Sequence, residues 1–254
     1  MKKKHWWKTA FRETYLTAFD EKYSVERGKK EAAFLIRELQ IKKGTRILDL
    51  ACGQGRHAIP FAQRGMHITG VDASVYLLRV ARQRARTEGA DVSFVKGDIR
   101  SYRDAGKYDI ALVLGNSFGY FSDKDNERVL TTIAGSLKTG GLLVIDLSNT
   151  PGMLRRQITG EWSQRIPGGE LTVRTLNFDP ETFQVEMQWR ILQNKRKTVF
   201  DGMLRLYTPP EISHLLAERN LVIEKTYGSF ANESYSIKTK RYLVVARKVS
   251  IGGS

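Results

Sequence analysis

One cysteine, six prolines and four histidines stand among 254 residues, and each shortage excludes a kind of chemistry. A lone cysteine, Cys52, rules out a disulfide framework, a two-cysteine redox mechanism and a cysteine-rich zinc site. The histidines, His5, His57, His67 and His214, show no ligand spacing, so no metal is expected. No apolar run approaches the roughly 18 residues of a membrane-spanning helix. The basic start Met-Lys-Lys-Lys-His-Trp-Trp leads into no apolar signal core. These absences predict a cytoplasmic protein that does not enter a membrane. Acidic residues are also in short supply, 27 Asp and Glu against 42 Lys and Arg, for a net charge of +15. Such an excess admits a polyanionic partner or an acidic metabolite.

What the chain does have is concentrated in residues 46–58, Arg-Ile-Leu-Asp-Leu-Ala-Cys-Gly-Gln-Gly-Arg-His-Ala. Ile47, Leu48 and Leu50 predict a buried strand ending near Asp49. Gly53 and Gly55 predict a sharp turn into a helix, where backbone can approach a ligand closely. A second apolar stretch ends in Gly70-Val71-Asp72, which places a carboxylate for a ribose diol. Gly53-x-Gly55-x-x-Ala58 formally satisfies a dinucleotide fingerprint, so a nicotinamide oxidoreductase is one reading. Asp49 argues against it, because a carboxylate in that corner repels a pyrophosphate and attracts an ammonium or sulfonium.

At these residues the chain resembles the class I S-adenosylmethionine-dependent methyltransferases, whose first motif is an acidic residue followed by alternating glycines. Ala51 stands where many members carry the first of them. Further landmarks fall in family order across roughly residues 42 to 150. They are Asp72-Ala73, then Phe94 to Ile99 with Gly97-Asp98, then Tyr108 to Leu114 followed by Gly115-Asn116-Ser117, and Leu142 to Leu147 after Gly140-Gly141. The resemblance implies an α/β fold: a Rossmann-like, seven-stranded, mostly parallel sheet with an antiparallel last strand and helices on both faces. Leu221–Tyr227 and Arg241–Ala246 supply the last two strands. The resemblance also implies S-adenosylmethionine as cofactor, with S-adenosylhomocysteine as product. Its residues here are Asp49, Ala51, Gly53, Gly55, Asp72, Ala73, Asp98, Ile99, Leu114, Gly115 and Asn116, with Tyr15 and Tyr23 beside the methionine end.

Between about 160 and 207 the pattern changes to apolar–polar alternation in Leu171–Phe178, Phe183–Trp189 and Val199–Tyr207, separated by Gly168-Gly169 and Asp179-Pro180. An inserted antiparallel sheet is predicted, similar to the small β-subdomain of sugar N-methyltransferases. The whole chain, 1–254, is expected to form one methyltransferase domain. A helical cap covers 1–41, the core 42–155 and 206–250, and the lid 156–205. Phe11 and Phe19 read as core packing. Cys52 reads as a small apolar residue beside the glycine loop.

The expected reaction is in-line methyl transfer to a small-molecule acceptor, acidic or phosphorylated acceptors included. Asn116 and Ser117, after the fourth strand, are the first catalytic candidates, followed by Tyr120, with Tyr207 from the insertion and His214 behind them. Asn116 lacks a following Pro-Pro-Tyr, which disfavours amide and DNA-base substrates. An RNA or protein methyltransferase is the rival. Lys2, Lys3, Lys4 and Lys8, then Arg27, Lys29 and Lys30, the helical row Arg79, Arg82 and Arg86, and the turn Lys195–Lys197 offer it basic surface. These clusters are dispersed, and no RNA-binding module accompanies them. A monomer or a homodimer is expected.

Overall fold

The computed structural model describes residues 6–19, 24–155 and 160–250. Its elements begin with α1 (Trp7–Ala10), α2 (Glu13–Ala18), α3 (Val25–Glu38), β1 (Arg46–Leu50), α4 (Ala58–Ala62), β2 (His67–Asp72), α5 (Val75–Thr87) and β3 (Val92–Lys96). There follow β4 (Tyr108–Val113), α6 (Asp123–Ser136), β5 (Leu137–Ser148), α7 (Thr150–Arg155), β6 (Gly160–Ile166) and β7 (Gly169–Asp179). The chain closes with β8 (Gln184–Gln193), β9 (Arg196–Arg205), α8 (Pro209–Ala217), β10 (Leu221–Tyr227) and β11 (Arg241–Lys248).

Seven strands form one sheet in the order β10-β11-β5-β4-β1-β2-β3. The central strands are apolar along their length because both faces are covered. Alternation along β4 shows the two layers. Ala111 and Val113 pack with Val129, Leu130 and Ile133 of α6 and Ile212 and Leu216 of α8. Ile110 and Leu112 pack with Phe34 and Leu35 of α3 and Ala58 and Phe61 of α4. Side-chain caps start the helices: Ser24 for α3, Ser74 for α5, Ser122 for α6, and a Thr208–Glu211 capping box for α8.

The expected α/β architecture is present, and β10 and β11 pair antiparallel at one edge, β11 lying between β5 and β10 and running against both. There are three local differences. Strand β5 begins at Leu137, directly after α6, and its pairing with β4 is interrupted between Tyr108 and Ile110. The helix expected to open at Gly53 begins only at Ala58 and is five residues long, so Gly53–His57 acts as a turn.

The third difference concerns the second sheet, which has four strands in the order β6-β7-β8-β9, β6 having escaped the periodicity reading. One face is apolar. Leu171, Val173 and Ile191 pack there with Ala18 and Phe19 of the N-terminal segment. Trp189 and Phe200 pack against Trp6, Trp7 and Ala10. The N-terminal helices and the inserted sheet therefore close against each other over the carboxyl ends of the parallel strands.

Candidate active site

The site is built on two turns. At the end of β1, Ala51, Gly53 and Gly55 take φ values of 59°, 56° and 78°. That left-handed region favours glycine, which gives the family's preference at position 51 a physical reason and makes Ala51 a point of local strain. The turn is fastened by Asp72 at the end of β2. Its Oδ2 accepts from the Gly53 N–H at 2.9 Å and its Oδ1 from the Ser74 N–H at 2.7 Å. Burial raises the pKa of Asp72, and these backbone donors partly offset that.

The second turn follows β4. The Gly115 N–H donates to Asp146 Oδ2 at 2.9 Å, and the Ser148 N–H donates to Asn116 Oδ1 at 2.9 Å. Arg241 is paired with the same buried Asp146. Behind both turns lies Glu31 of α3, only 3 % exposed. Arg27 Nε donates to it at 2.9 Å, His57 Nε2 lies 2.7 Å from it, and Arg56 completes the cluster. Burial opposes ionisation of Glu31. The His57 hydrogen bond and the charges of His57 and Arg56 outweigh it and hold the carboxyl far below its usual range.

Three cavities join along these turns, and Phe11 and Tyr120 line all of them. The first lies over the glycine turn, between Ala51–Gln54, Arg56, Asp72 and Leu114–Gly115. Another runs along the ends of β2 and β3, past Ala73, Tyr76, Asp98 and Ile99. The remaining one lies beneath the inserted sheet, against Val173, Met187, Trp189, Phe200 and Leu204. Among the described residues, no group of three or more His, Cys, Asp or Glu could hold a metal ion. No described helix is long and apolar enough to cross a membrane.

Residues 47–141 match the model of a methyltransferase domain. Over 231 residues the chain is 34 % identical to a glycine/sarcosine N-methyltransferase of Halorhodospira halochloris, covering 87 % of this chain and 83 % of that protein. The chain belongs to the S-adenosylmethionine-dependent methyltransferases. A glycine/sarcosine N-methyltransferase of Aphanothece halophytica is 30 % identical over 55 % of this chain and 56 % of its own length. Two solved structures share the fold of this methyltransferase. The CcbJ methyltransferase of Streptomyces caelestis superposes with a TM-score of 0.79 at 18 % identity, over 93 % of this chain and 98 % of its own. CalS10, an amino pentose methyltransferase of Micromonospora echinaspora, gives 0.70 at 20 % identity, over 91 % and 96 %.

The donor set fits this methyltransferase's cofactor. A buried carboxylate stands where the first and the β2–β3 cavities meet, the turn carries no side chain at Gly53, and the Arg56 guanidinium lies 3.6 Å from where a Gly115 Cβ would stand. The sequence-predicted residues divide. Tyr15, Ala51, Gly53, Asp72, Ala73, Asp98, Ile99, Leu114, Gly115, Asn116, Ser117 and Tyr120 line the joined cavities. Asp98 does so with its carboxylate clamped by Arg100 at 2.6 Å. Gly55 packs under Phe94, Ile59 and Ala81 instead. Tyr23 lies outside the described residues.

Two candidates are placed elsewhere. The Tyr207 hydroxyl is buried under α6, donating to Asp123 and accepting from the Asn126 amide, both at 3.0 Å. His214 is exposed on α8, beside Glu218. Phe19, read as core, is buried in the cluster under the inserted sheet and also borders that cavity, whereas Phe11, read as core too, is half-buried and lines all three cavities. Arg56 and Trp189 were missed. The only sequence signal for them was Arg56 following the second glycine and Trp189 sharing the apolar face of its strand. Burial pushes the Cys52 thiol well up, away from nucleophile chemistry.

Asp49 lies beneath the glycine turn and is absent from all three linings. Its Oδ2 is buried without a hydrogen-bond partner. Desolvation pushes its pKa from 3.8 up to about 7 against the opposing charge of Arg56. Below pH 3.8 folded and unfolded chains both carry the neutral acid, and Asp49 costs nothing. As pH rises to about 7 the unfolded chain ionises first, so the folded state loses stability across that window. Asp49→Asn is accordingly expected to raise the melting temperature at pH 8 and leave it nearly unchanged at pH 4. Thermal unfolding of both proteins at the two pH values checks this, and an equal shift at both would assign the effect to packing.

Proposed function

We propose that this methyltransferase transfers its methyl group to a small molecule held in the cavity beneath the inserted sheet. The observation that carries this is the joining of that cavity to the one over the glycine turn, where Phe11, Tyr15, Gly115 and Tyr120 line both. In this reading residues 42–155 and 206–250 hold the cofactor, while 1–41 and 156–205 close over the acceptor. Asp72 takes the ribose hydroxyls, and Ala73, Asp98 and Ile99 flank the adenine. Gly53 and Gly115 admit the methionine end close to backbone, with Tyr15 and Arg56 beside it. When bound, S-adenosylmethionine supplies an activated methyl carbon. The chain's own part is to hold the acceptor in line with that carbon and to keep water out with the aromatic side chains at the junction. The side-chain oxygen of Asn116 is engaged by Ser148, so Asn116 shapes its turn, and Tyr15 and Tyr120 are the phenols that line both compartments. That relatives of this chain are named for glycine, sarcosine and an amino pentose supports a small acceptor.

The test is to incubate the protein with methyl-labelled S-adenosylmethionine and a fractionated cell extract. Label is expected in a low-molecular-weight product that separates chromatographically from S-adenosylmethionine and is absent without the protein. Label in the RNA or protein fraction instead would favour the polyanion reading that the +15 charge offers.

A further inference from the structure

The cavity beneath the inserted sheet has a chemical character of its own. Three cations face it, Arg27, Lys240 and Arg241, and no aspartate or glutamate does, among the described residues. Glu31 and Asp146 hold Arg27 and Arg241 from behind. Lys240 is exposed and has no ion-pair partner among the described residues. The same lining carries stacked aromatic rings. Trp189 stacks on Phe200 at 5.1 Å and 12°, and on Trp6 at 5.6 Å and 18°. Tyr120 meets the edge of Trp6 at 4.9 Å. Gly202 makes this possible, since a Cβ there would stand 2.4 Å from the Trp189 ring.

Resting on the reading that this cavity holds the acceptor, we propose that the acceptor is an anion built on a planar ring. Flat aromatic walls reward a second flat ring by offset stacking. Cations without carboxylates among the described lining reward negative charge and penalise an ammonium. That opposes the other use of an aromatic box, the capture of a cation. The same lining presents no carboxylate or histidine among the described residues to serve as a base. A positive field lowers the pKa of any acidic group placed in it, so the acceptor arrives with its lone pair free. That lone pair forms the bond to the methyl carbon, the carbon–sulfur bond breaks with its electrons passing to sulfur, and any proton left on the acceptor passes to solvent.

The experiment is calorimetry on the full chain saturated with S-adenosylhomocysteine, with four probes: 2-naphthoate, 2-naphthamide, cyclohexanecarboxylate and 2-naphthylmethylammonium. Naphthoate is expected to bind at least about tenfold more tightly than the other three. Lys240→Glu is expected to weaken naphthoate about fivefold and the amide hardly at all. Trp189→Leu is expected to bring naphthoate down toward cyclohexanecarboxylate. Equal binding of naphthoate and naphthamide, or preference for the ammonium probe, would overturn the proposal while leaving the methyltransferase assignment intact. Failure of S-adenosylhomocysteine itself to bind would overturn the underlying site assignment as well. Its titration into each variant also reports whether that variant is folded.

Discussion

Glu31→Ala is expected to lower stability by about 3–5 kcal/mol, the usual cost of leaving buried charge without its partner. Glu31 is the carboxylate shared by Arg27, Arg56 and His57, and Arg56 and His57 are themselves buried. Without it Arg56, beside the glycine turn, loses its buried carboxylate partner, so affinity for S-adenosylhomocysteine should fall together with stability. Urea unfolding and calorimetry on the same preparation measure both. A variant as stable as the parent would mean that water satisfies Arg56. The cluster also makes the protein acid-sensitive. Desolvation, with the Arg56 charge, pushes His57 from 6.5 down to about 4 against the pull of Glu31. The unfolded chain takes up this proton first, so stability from His57 is full above pH 6.5 and is lost as pH falls toward 4. His57→Gln should flatten that part of the pH–stability curve.

How much of this was legible in the sequence depended on whether a signal was local. Strands β1, β2 and β4 announced themselves as apolar runs because both their faces are buried, and Asp72 was found because it ends one of those runs. Asp49 was placed at the right position with the wrong aim. Ile47 and Asp49 point to the face covered by α3 and α4, while Leu48 and Leu50 point to the other. Its carboxylate therefore lies under the turn and not in the cavity. Tyr207 fell at the seam between insertion and core, where proximity in sequence suggested the site, but its ring packs on Phe118 at 5.1 Å. The Glu31–Arg56 pair joins residues 25 apart through tertiary packing, and no spacing rule reaches it. The stacked wall was equally hidden. Alternation shows which side of a strand is apolar, yet it cannot say that Gly202 leaves the space in which Trp189 lies flat.

Asp72→Ala is expected to weaken S-adenosylhomocysteine by about 2 kcal/mol, roughly thirtyfold, through loss of the acceptor for the ribose hydroxyls. Asp72 also fastens Gly53 and Ser74, so a loosened turn would lower affinity without any contact to the ribose. The two causes separate in a double cycle. If Asp72 holds the diol, the parent should bind the 2′-deoxy analogue of S-adenosylhomocysteine distinctly less well than the natural compound, and the variant should bind both alike. If the carboxylate only fastens the turn, the deoxy analogue should lose the same factor in both proteins. Asp72→Asn sharpens the distinction. An amide keeps one acceptor oxygen and turns its NH2 toward a backbone N–H, so it should disturb the turn even where it can still meet one hydroxyl. An asparagine variant that binds like the parent would therefore place the diol elsewhere, and would leave Asp72 with no role beyond its backbone bonds to Gly53 and Ser74.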